Sequence, residues 1–349
     1  MQLRNIYSKE DLRKKLAAEK FSRKTLSFYR YVIIDDVDAF RDALYKDFAA
    51  LNILGRIYVA QEGINAQINV PQPNWQTFLN YLEQNTLLKN MPLKIAVEDS
   101  PESFLKLIVR KKNKIVADGL PDDCYDVTNV GNHLNAQEFN NAIDNGAIVI
   151  DMRNHYESEV GYFQNAIKPD ADTFRQAMHD AVDMVKGKEE KEILLYCTGG
   201  IRCEKASAWF KHNGFKNVNQ LYGGIIEYAK EIKEKNLPNK FLGKNFVFDQ
   251  RMGERIGTEV VSQCHQCGTP SDTHVNCAND DCHLLFIQCD SCKQKMQGCC
   301  TPECQTIFNL PLEEQIKLRK GKKKQHAHAV YKSRLRPNLK NILKEKSGE

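Results

Sequence analysis

Ile193-Leu194-Leu195-Tyr196-Cys197-Thr198-Gly199-Gly200-Ile201-Arg202-Cys203-Glu204-Lys205-Ala206 is the stretch on which the reading of this chain turns. Ile193 to Tyr196 is a short apolar run bounded by turn residues, which reads as a buried strand. A cysteine, two glycines and an arginine follow, and then the helix formers of a segment expected to run from Glu204 to Asn213, with Gly214 ending it. Strand, tight loop and helix gather backbone N–H groups at a helix N-terminus, where they favour an anion. A cysteine there should ionise below its free value of about 8.5, because Arg202 and the loop dipoles favour the thiolate. Cys197 is therefore the candidate nucleophile, Arg202 its charge partner, and Thr198, Gly199, Gly200 and Ile201 the anion cradle. The bland reading, a structural cysteine at a strand end, does not account for the glycines and the arginine.

Outward from this loop, residues 127–235 alternate between helix and strand. Asn135 starts a helix to about Asn145, Ala147 to Asp151 is a buried strand, Asp172 to Val185 a helix, and Val218 to Leu221 another strand. Gly223-Gly224 opens a last helix to about Lys235. Such alternation predicts a parallel sheet covered on both faces, which binds ligands at the carboxyl ends of its strands, where Cys197 falls.

Three motifs in this region resemble the rhodanese family. Asp151-Met152-Arg153, then Glu157 and Gly161-Tyr162-Phe163-Gln164-Asn165-Ala166-Ile167, is similar to its first signature, with Tyr162 and Asn165 departing from it. Leu221-Tyr222-Gly223-Gly224-Ile225 is similar to its closing Leu-x-Gly-Gly. The resemblance implies supporting roles for Asp151, Arg153 and Glu157. The Cys-x4-Arg spacing suits a sulfur-sized anion, whereas phosphatases of related fold carry Cys-x5-Arg. Cys203, just past Arg202, reads either as a resolving thiol for an oxidised or persulfidated Cys197 or as an inward-packed helix residue.

The chain has 349 residues, enough for two or three cores. Charged residues make up 27% and apolar ones 42%, and no apolar run approaches the roughly 18 residues that span a bilayer, so a soluble protein without a membrane partner is expected. The start, Met1-Gln2-Leu3-Arg4-Asn5, lacks the apolar core of a secretory signal, and the expected compartment is the cytoplasm. Of the 12 cysteines, nine crowd into Cys264, Cys267, Cys277, Cys282, Cys289, Cys292, Cys299, Cys300 and Cys304. In a cytosolic chain this pattern reads as metal binding rather than cross-linking. Two Cys-x2-Cys knuckles point to structural Zn²⁺, which takes four thiolates. Cys299 and Cys300 are adjacent and do not suit one ion together, so eight cysteines would fill two sites, with His265, His274 and His283 in reserve. One zinc with spare thiols and an iron–sulfur cluster stay open. Cys124 reads as a passive thiol.

Residues 25–99 read as βαββαβ: strands at Thr25–Ile34, Ile53–Ala60, Ile64–Val70 and Leu93–Val97, with helices at Asp36–Leu51 and Pro73–Leu88. That is the order of a ferredoxin-like, acylphosphatase-like domain. Glu62 and Asn65 beside Gly63 line a surface site or form a plain turn. Residues 100–126 read as a connector, with Phe104–Lys112 and Lys114–Ala117 pairing as short strands. The net charge of +5 is concentrated at the ends. Residues 1–24 form a basic segment and 311–349 a short helix and basic tail, while 236–310 hold a strand expected at Phe241–Asp249 and then the cysteines. Lys317, Arg319, Lys320, Lys322, Lys323, Lys324, Arg334 and Arg336 suit a polyanionic partner.

The three blocks together, with Cys-His-Gln-Cys-Gly at 264–268, resemble the bacterial tRNA uridine hydroxylases. The resemblance implies oxygen-dependent formation of 5-hydroxyuridine at the wobble position of tRNA, with Cys197 as the catalytic cysteine, O2 as co-substrate and tRNA as partner. No flavin or nucleotide fingerprint is present. The alternative function is a sulfurtransferase passing sulfur through a Cys197 persulfide. A simple sulfurtransferase needs neither the cysteine cluster nor the basic ends, and a non-catalytic RNA-binding protein does not need the Cys–Arg loop.

Overall fold

The computed structural model describes residues 7–98, 103–121, 124–320, 339 and 341. They fall into two compact units. The first comprises Met1–Arg153, Ile167–Pro238 and Val247–Arg251; the second comprises Asn154–Ala166, Asn239–Phe246 and Met252–Glu349.

The first unit opens with a helix, α1 (Lys9–Ala17), where the sequence suggested only a basic segment; Ser8 caps it by accepting the Asp11 N–H. A five-stranded sheet follows. Its strands are β1 (Arg23–Tyr31), β2 (Leu54–Ala60), β3 (Gly63–Pro71), β4 (Lys94–Ile95) and β5 (Leu107–Lys111), in the order β4-β1-β3-β2-β5. The first four have the ferredoxin-like arrangement. Helices α2 (Val37–Ala50) and α3 (Trp75–Gln84) supply the apolar side chains that meet the sheet. Leu26 and Phe28 of β1 pack with Leu44 and Phe48 of α2 and Phe78 and Leu82 of α3 in one core. Each such side chain stabilises the fold by roughly 1.5–3 kcal/mol. Strand alternation puts Ser27, Tyr29 and Tyr31 on the opposite face of β1. Arg23, counted above among the basic N-terminal residues, is used internally: it is buried and donates to Glu19, the Asn52 carbonyl and Asn69.

The connector does not form the expected pair of strands. Among the described residues 114–117 form no strand, and β5 instead lies parallel to β2, Val109 opposite Ile57. An open sheet edge offers a full row of backbone partners, which a two-strand ribbon cannot match.

The same unit holds a four-stranded parallel sheet in the order Asn132–Leu134, Asn217–Leu221, Glu192–Tyr196, Ile148–Asp151. Ile193, Leu194 and Leu195 have no solvent exposure, as expected of a central strand covered on both faces. Helices Ala136–Asp144, Phe174–Met184, Ile201–His212 and Gly224–Glu234 alternate with these strands. The strand Asn132–Leu134 has no apolar pattern and was not legible. The helix after the cysteine loop begins at Ile201, three residues before the expected start, so its first turn is part of the loop.

In the second unit Gly161–Phe163, Phe241–Asn245 and Glu254–Arg255 form a small antiparallel sheet. The strand expected over 241–249 therefore stops at Asn245. A hairpin of His274–Asn276 and Leu285–Ile287 and the helices Asp290–Met296, Pro302–Phe308 and Leu312–Arg319 complete it. No helix among the described residues is long and apolar enough to cross a membrane.

Candidate active site and metal centres

Cys197 follows the last residue of the central strand and has no solvent exposure. The chain then turns through Gly200 at φ +92°, a left-handed conformation that favours glycine, and enters the helix Ile201–His212. The turn aims the Gly200 N–H at Cys197 Sγ, 3.2 Å away. The Leu221-Tyr222-Gly223-Gly224 segment locks this loop from behind. Ile225 N–H donates to the Cys197 carbonyl at 3.0 Å and Ile226 N–H to the Thr198 carbonyl at 3.2 Å. A Cβ on Gly224 would lie 2.5 Å from the Cys197 carbonyl oxygen and 2.7 Å from the amide nitrogens of both Gly199 and Gly200. Only glycine allows that approach.

Burial alone would push the Cys197 thiol up. A hydrogen bond from the Cys203 thiol, the Arg202 charge and the Arg202 and Cys203 backbone N–H groups outweigh it and bring Cys197 down to about 6. Cys203, buried beside it, is driven the other way, first by burial and then by the thiolate it serves. At neutral pH the pair is one thiolate and one thiol donor. Cys203 is an inward-packed residue of the helix, and its sulfur faces Cys197. The Arg202 guanidinium is buried, reaches Thr198 Oγ1 at 3.4 Å, and lies 6.0 Å from the centre of the exposed Phe248 ring.

Asp151 and Arg153 are not in the loop. They form a buried bidentate pair, Nη2 to Oδ2 2.6 Å, and Tyr196 Oη donates to the same carboxylate at 2.6 Å. They brace the strand end that carries Cys197. Glu157, in the second unit, is also buried and accepts the Asn154 N–H as half of a capping box.

Several residues at the loop were not legible in the sequence. The face of β1 away from its core lies against it. Tyr29 Oη donates to Glu204 at 2.9 Å, and Tyr31 Oη to the Ile201 carbonyl at 3.3 Å. His133 and Gln220 also hydrogen-bond the Glu204 carboxylate, each at 3.0 Å. Burial raises Glu204, but His133, Tyr29 and Gln220 outweigh it and hold it ionised. Lys94 of β4 sits with its ammonium 3.9 Å from the Tyr29 ring centre. Glu62, read as a surface site or a turn, lies in the β2–β3 turn, and its carboxylate points to an ion pair. With Asp118 it holds the buried Lys205 ammonium at 2.9 and 3.0 Å, tying the helix after Cys197 to the β2–β3 turn. These residues lie up to 175 positions from their partners, and local pattern carries no signal of such pairings.

The cysteine cluster of the second unit resolves into two quartets. Cys264, Cys267, Cys289 and Cys292 bring four sulfurs within 4.8 Å of one another, and Cys277, Cys282, Cys300 and Cys304 do the same. Sulfur separations within them include 3.6 Å for Cys267–Cys289 and for Cys282–Cys300, and 3.7 Å for Cys300–Cys304. A tetrahedron with metal–sulfur bonds of about 2.3 Å has edges of about 3.8 Å. Each quartet therefore fits one tetrahedral ion, and a multi-iron cluster would hold its thiolates further apart. Cys299 is outside both quartets; it is buried, and its carbonyl accepts from Gln266 and Gln288. Adjacent side chains diverge, so Cys300 joins its quartet only by turning Cys299 away. His265, His274 and His283 belong to neither quartet.

Of the basic residues near the C-terminus, Arg319 is half-buried and pairs with Asp280 at 3.0 Å, and Lys317 and Lys320 are exposed. Lys322, Lys323, Lys324, Arg334 and Arg336 lie outside the described residues.

A buried thiolate in a Cys-x4-Arg loop at the carboxyl end of a central parallel strand defines a rhodanese-like protein, here with an acylphosphatase-like sheet and a cysteine-rich module. Family models agree: one described as a UPF0176 acylphosphatase like domain matches residues 23–115, a Rhodanese-like domain 135–231, and a Rhodanase C-terminal 242–305. The chain is 57% identical over 341 residues to a tRNA uridine(34) hydroxylase of Leptospira interrogans, covering 97% of this chain and 93% of that one. It is 54% identical to a protein so named from Yersinia enterocolitica, over 92% of both chains, and 51% identical to one from Escherichia fergusonii, over 98% of both. The chain belongs to the tRNA uridine(34) hydroxylase family.

Proposed function

We propose that this chain is a cytoplasmic enzyme that hydroxylates the wobble uridine, U34, of tRNA to 5-hydroxyuridine. The reading is carried by family membership over nearly the full length. The Cys197 thiolate, held by Arg202, Cys203 and the loop amides, supports it. Dioxygen supplies the new oxygen atom; with two electrons and two protons from a reductant, its other atom leaves as water. Cys197 acts as the nucleophile toward the base. A thiolate added to C6 of uracil would push electron density to C5, the carbon that gains oxygen. Cys203 donates a hydrogen bond to that thiolate, and Arg202 with the Gly199 and Gly200 amides stabilises negative charge in the cradle. The two cysteine quartets hold structural Zn²⁺, which supplies folding energy to the second unit. The basic C-terminal residues contact tRNA phosphates.

The test is nucleoside mass spectrometry of tRNA from cells lacking the gene and complemented with wild type or Cys197→Ser. Wild type should restore 5-hydroxyuridine and Cys197→Ser should not, while the variant still binds tRNA. Full hydroxylation by Cys197→Ser would remove the thiolate from the reaction. Loss of a thiolated nucleoside in its place would point to a sulfurtransferase.

A further inference from the structure

Lys94 is a buried lysine for which the sequence gives no reason. It is 7% exposed, on a two-residue edge strand whose apolar neighbours Ile95 and Val97 are 36% and 41% exposed. The register sets Ile95 opposite Leu26 on the core face, so Lys94 takes the other face of the sheet and is buried there. Cross-strand pairing sets Lys94 opposite Ser27, on the face of β1 that also carries Tyr29. Its stem passes the two glycine turns of the site: Cβ atoms placed on Gly199 and Gly223 would lie 3.9 Å from Lys94 Cδ and 3.7 Å from Cε. The ammonium rests over the Tyr29 ring. The charged and titratable groups that face it are Cys197 from the loop, Glu204 from the helix after it, Glu227 from the next helix and Tyr29 from β1. No carboxylate forms a salt bridge with Lys94 among the described residues, in contrast to Lys205, which has two.

A buried ammonium is costly unless something compensates it, and a cation–π contact does so only in part. The remaining donors point to a ligand that brings an acceptor to the thiolate. We propose that Lys94 is a substrate-contacting residue, donating a hydrogen bond to the C4 carbonyl oxygen of the pyrimidine presented to Cys197. This rests on the reading of the chain as a uridine hydroxylase and deepens it. A lysine ammonium has three donors and no acceptor, so it accepts uracil, whose C4 carries an oxygen, and rejects cytosine, whose C4 carries an amine. It would also stabilise the negative charge that reaches O4 when a thiolate attacks C6. Burial lowers Lys94 to about 8 while Cys197, Glu204 and Glu227 raise it, so the ammonium form is present through neutral pH.

Two measurements test this on the full-length, metal-loaded protein. The first is independent of tRNA chemistry: the ratio of Cys197 alkylation rates by iodoacetate and iodoacetamide at pH 7. A cation beside the thiolate favours the anionic reagent, so Lys94→Met should lower the ratio about fivefold, with wild type and variant converging above pH 9. An unchanged ratio overturns the placement of Lys94 at the reacting sulfur. The second uses anticodon stem-loops carrying uridine or 4-thiouridine at position 34. Lys94→Met should slow hydroxylation of the uridine substrate at least about 100-fold, with tRNA affinity within about threefold, and Lys94→Arg should recover part of the rate. On the 4-thio substrate, whose sulfur is a weak acceptor, the same substitution should cost less than about tenfold. Equal losses on both substrates would make Lys94 a structural residue and overturn the contact. If wild type fails to hydroxylate uridine, the functional reading falls and the uracil contact with it, and the alkylation ratio still reports whether Lys94 faces the thiolate.

Discussion

Cys197 and Cys203 share one proton unequally, and that asymmetry makes the first a nucleophile. The alkylation rate of Cys197 should follow a single ionisation near pH 6. Cys203→Ala removes the thiol hydrogen bond and should move the midpoint upward, as should Arg202→Met; a midpoint unmoved by either change would assign the shift to the backbone alone. The sign follows from the direction of the shift. The folded value lies below the free value of about 8.5, so thiolate stabilisation is complete above that value and is lost as the pH falls through about 6. At this scale the sequence was informative where chemistry is local. Cys197, Arg202 and the two glycines stand in one loop and could be read directly. Lys94, Tyr29 and Glu204 could not, because strand alternation predicts which face a residue takes, not what another domain lays against that face.

The elements around the loop act by restricting it. Gly224→Ala would drive a methyl group into the Cys197 carbonyl and two loop amides at a backbone φ of +67°. A destabilisation of about 1–3 kcal/mol is expected, with the alkylation midpoint shifted upward; thermal melting and the alkylation profile measure the two effects. Lys205→Met leaves Asp118 buried with one ionic partner fewer and Glu62 with none of its ammonium contacts. It should cost about 3–5 kcal/mol, read by urea unfolding. Double replacement with Glu62→Gln should recover part of this loss. Long elements with a strong period, such as Val37–Ala50 and the apolar strand Glu192–Tyr196, were legible. Asn132–Leu134 was not, since a three-residue strand stabilised by its neighbours leaves no pattern of its own, and β5 found a partner that its local sequence does not specify.

The two cysteine quartets belong to the second unit and the Cys197 loop to the first. Metal analysis of the purified protein should give two ions per chain, one for each cysteine quartet. A strong chelator should unfold the cysteine-rich residues, seen as exposure of their thiols to a disulfide reagent, because thiolate ligands repel one another once the ion is gone. Cysteine spacing suggested metal binding; which four of the nine sulfurs come together was decided by the hairpin and helix ends that bring distant pairs together. Deleting residues 316–349 should weaken tRNA binding and flatten its dependence on salt, as expected when phosphate contacts are lost. Equal salt slopes for the two proteins would place the phosphate contacts elsewhere.

The Glu62–Lys205 ion pair also sets a timetable. Its two residues are 143 positions apart, which a ribosome adding 5–20 residues per second covers in roughly 7–30 s. The acylphosphatase-like sheet can fold in that interval, but Glu62 waits without its ammonium partner and Tyr29 without Glu204. The nascent chain thus carries a finished half-site with no sulfur in it. The Cys197 cradle closes only after Gly224 and the helix behind it have emerged, so the reactive thiolate is assembled late, against a surface already formed.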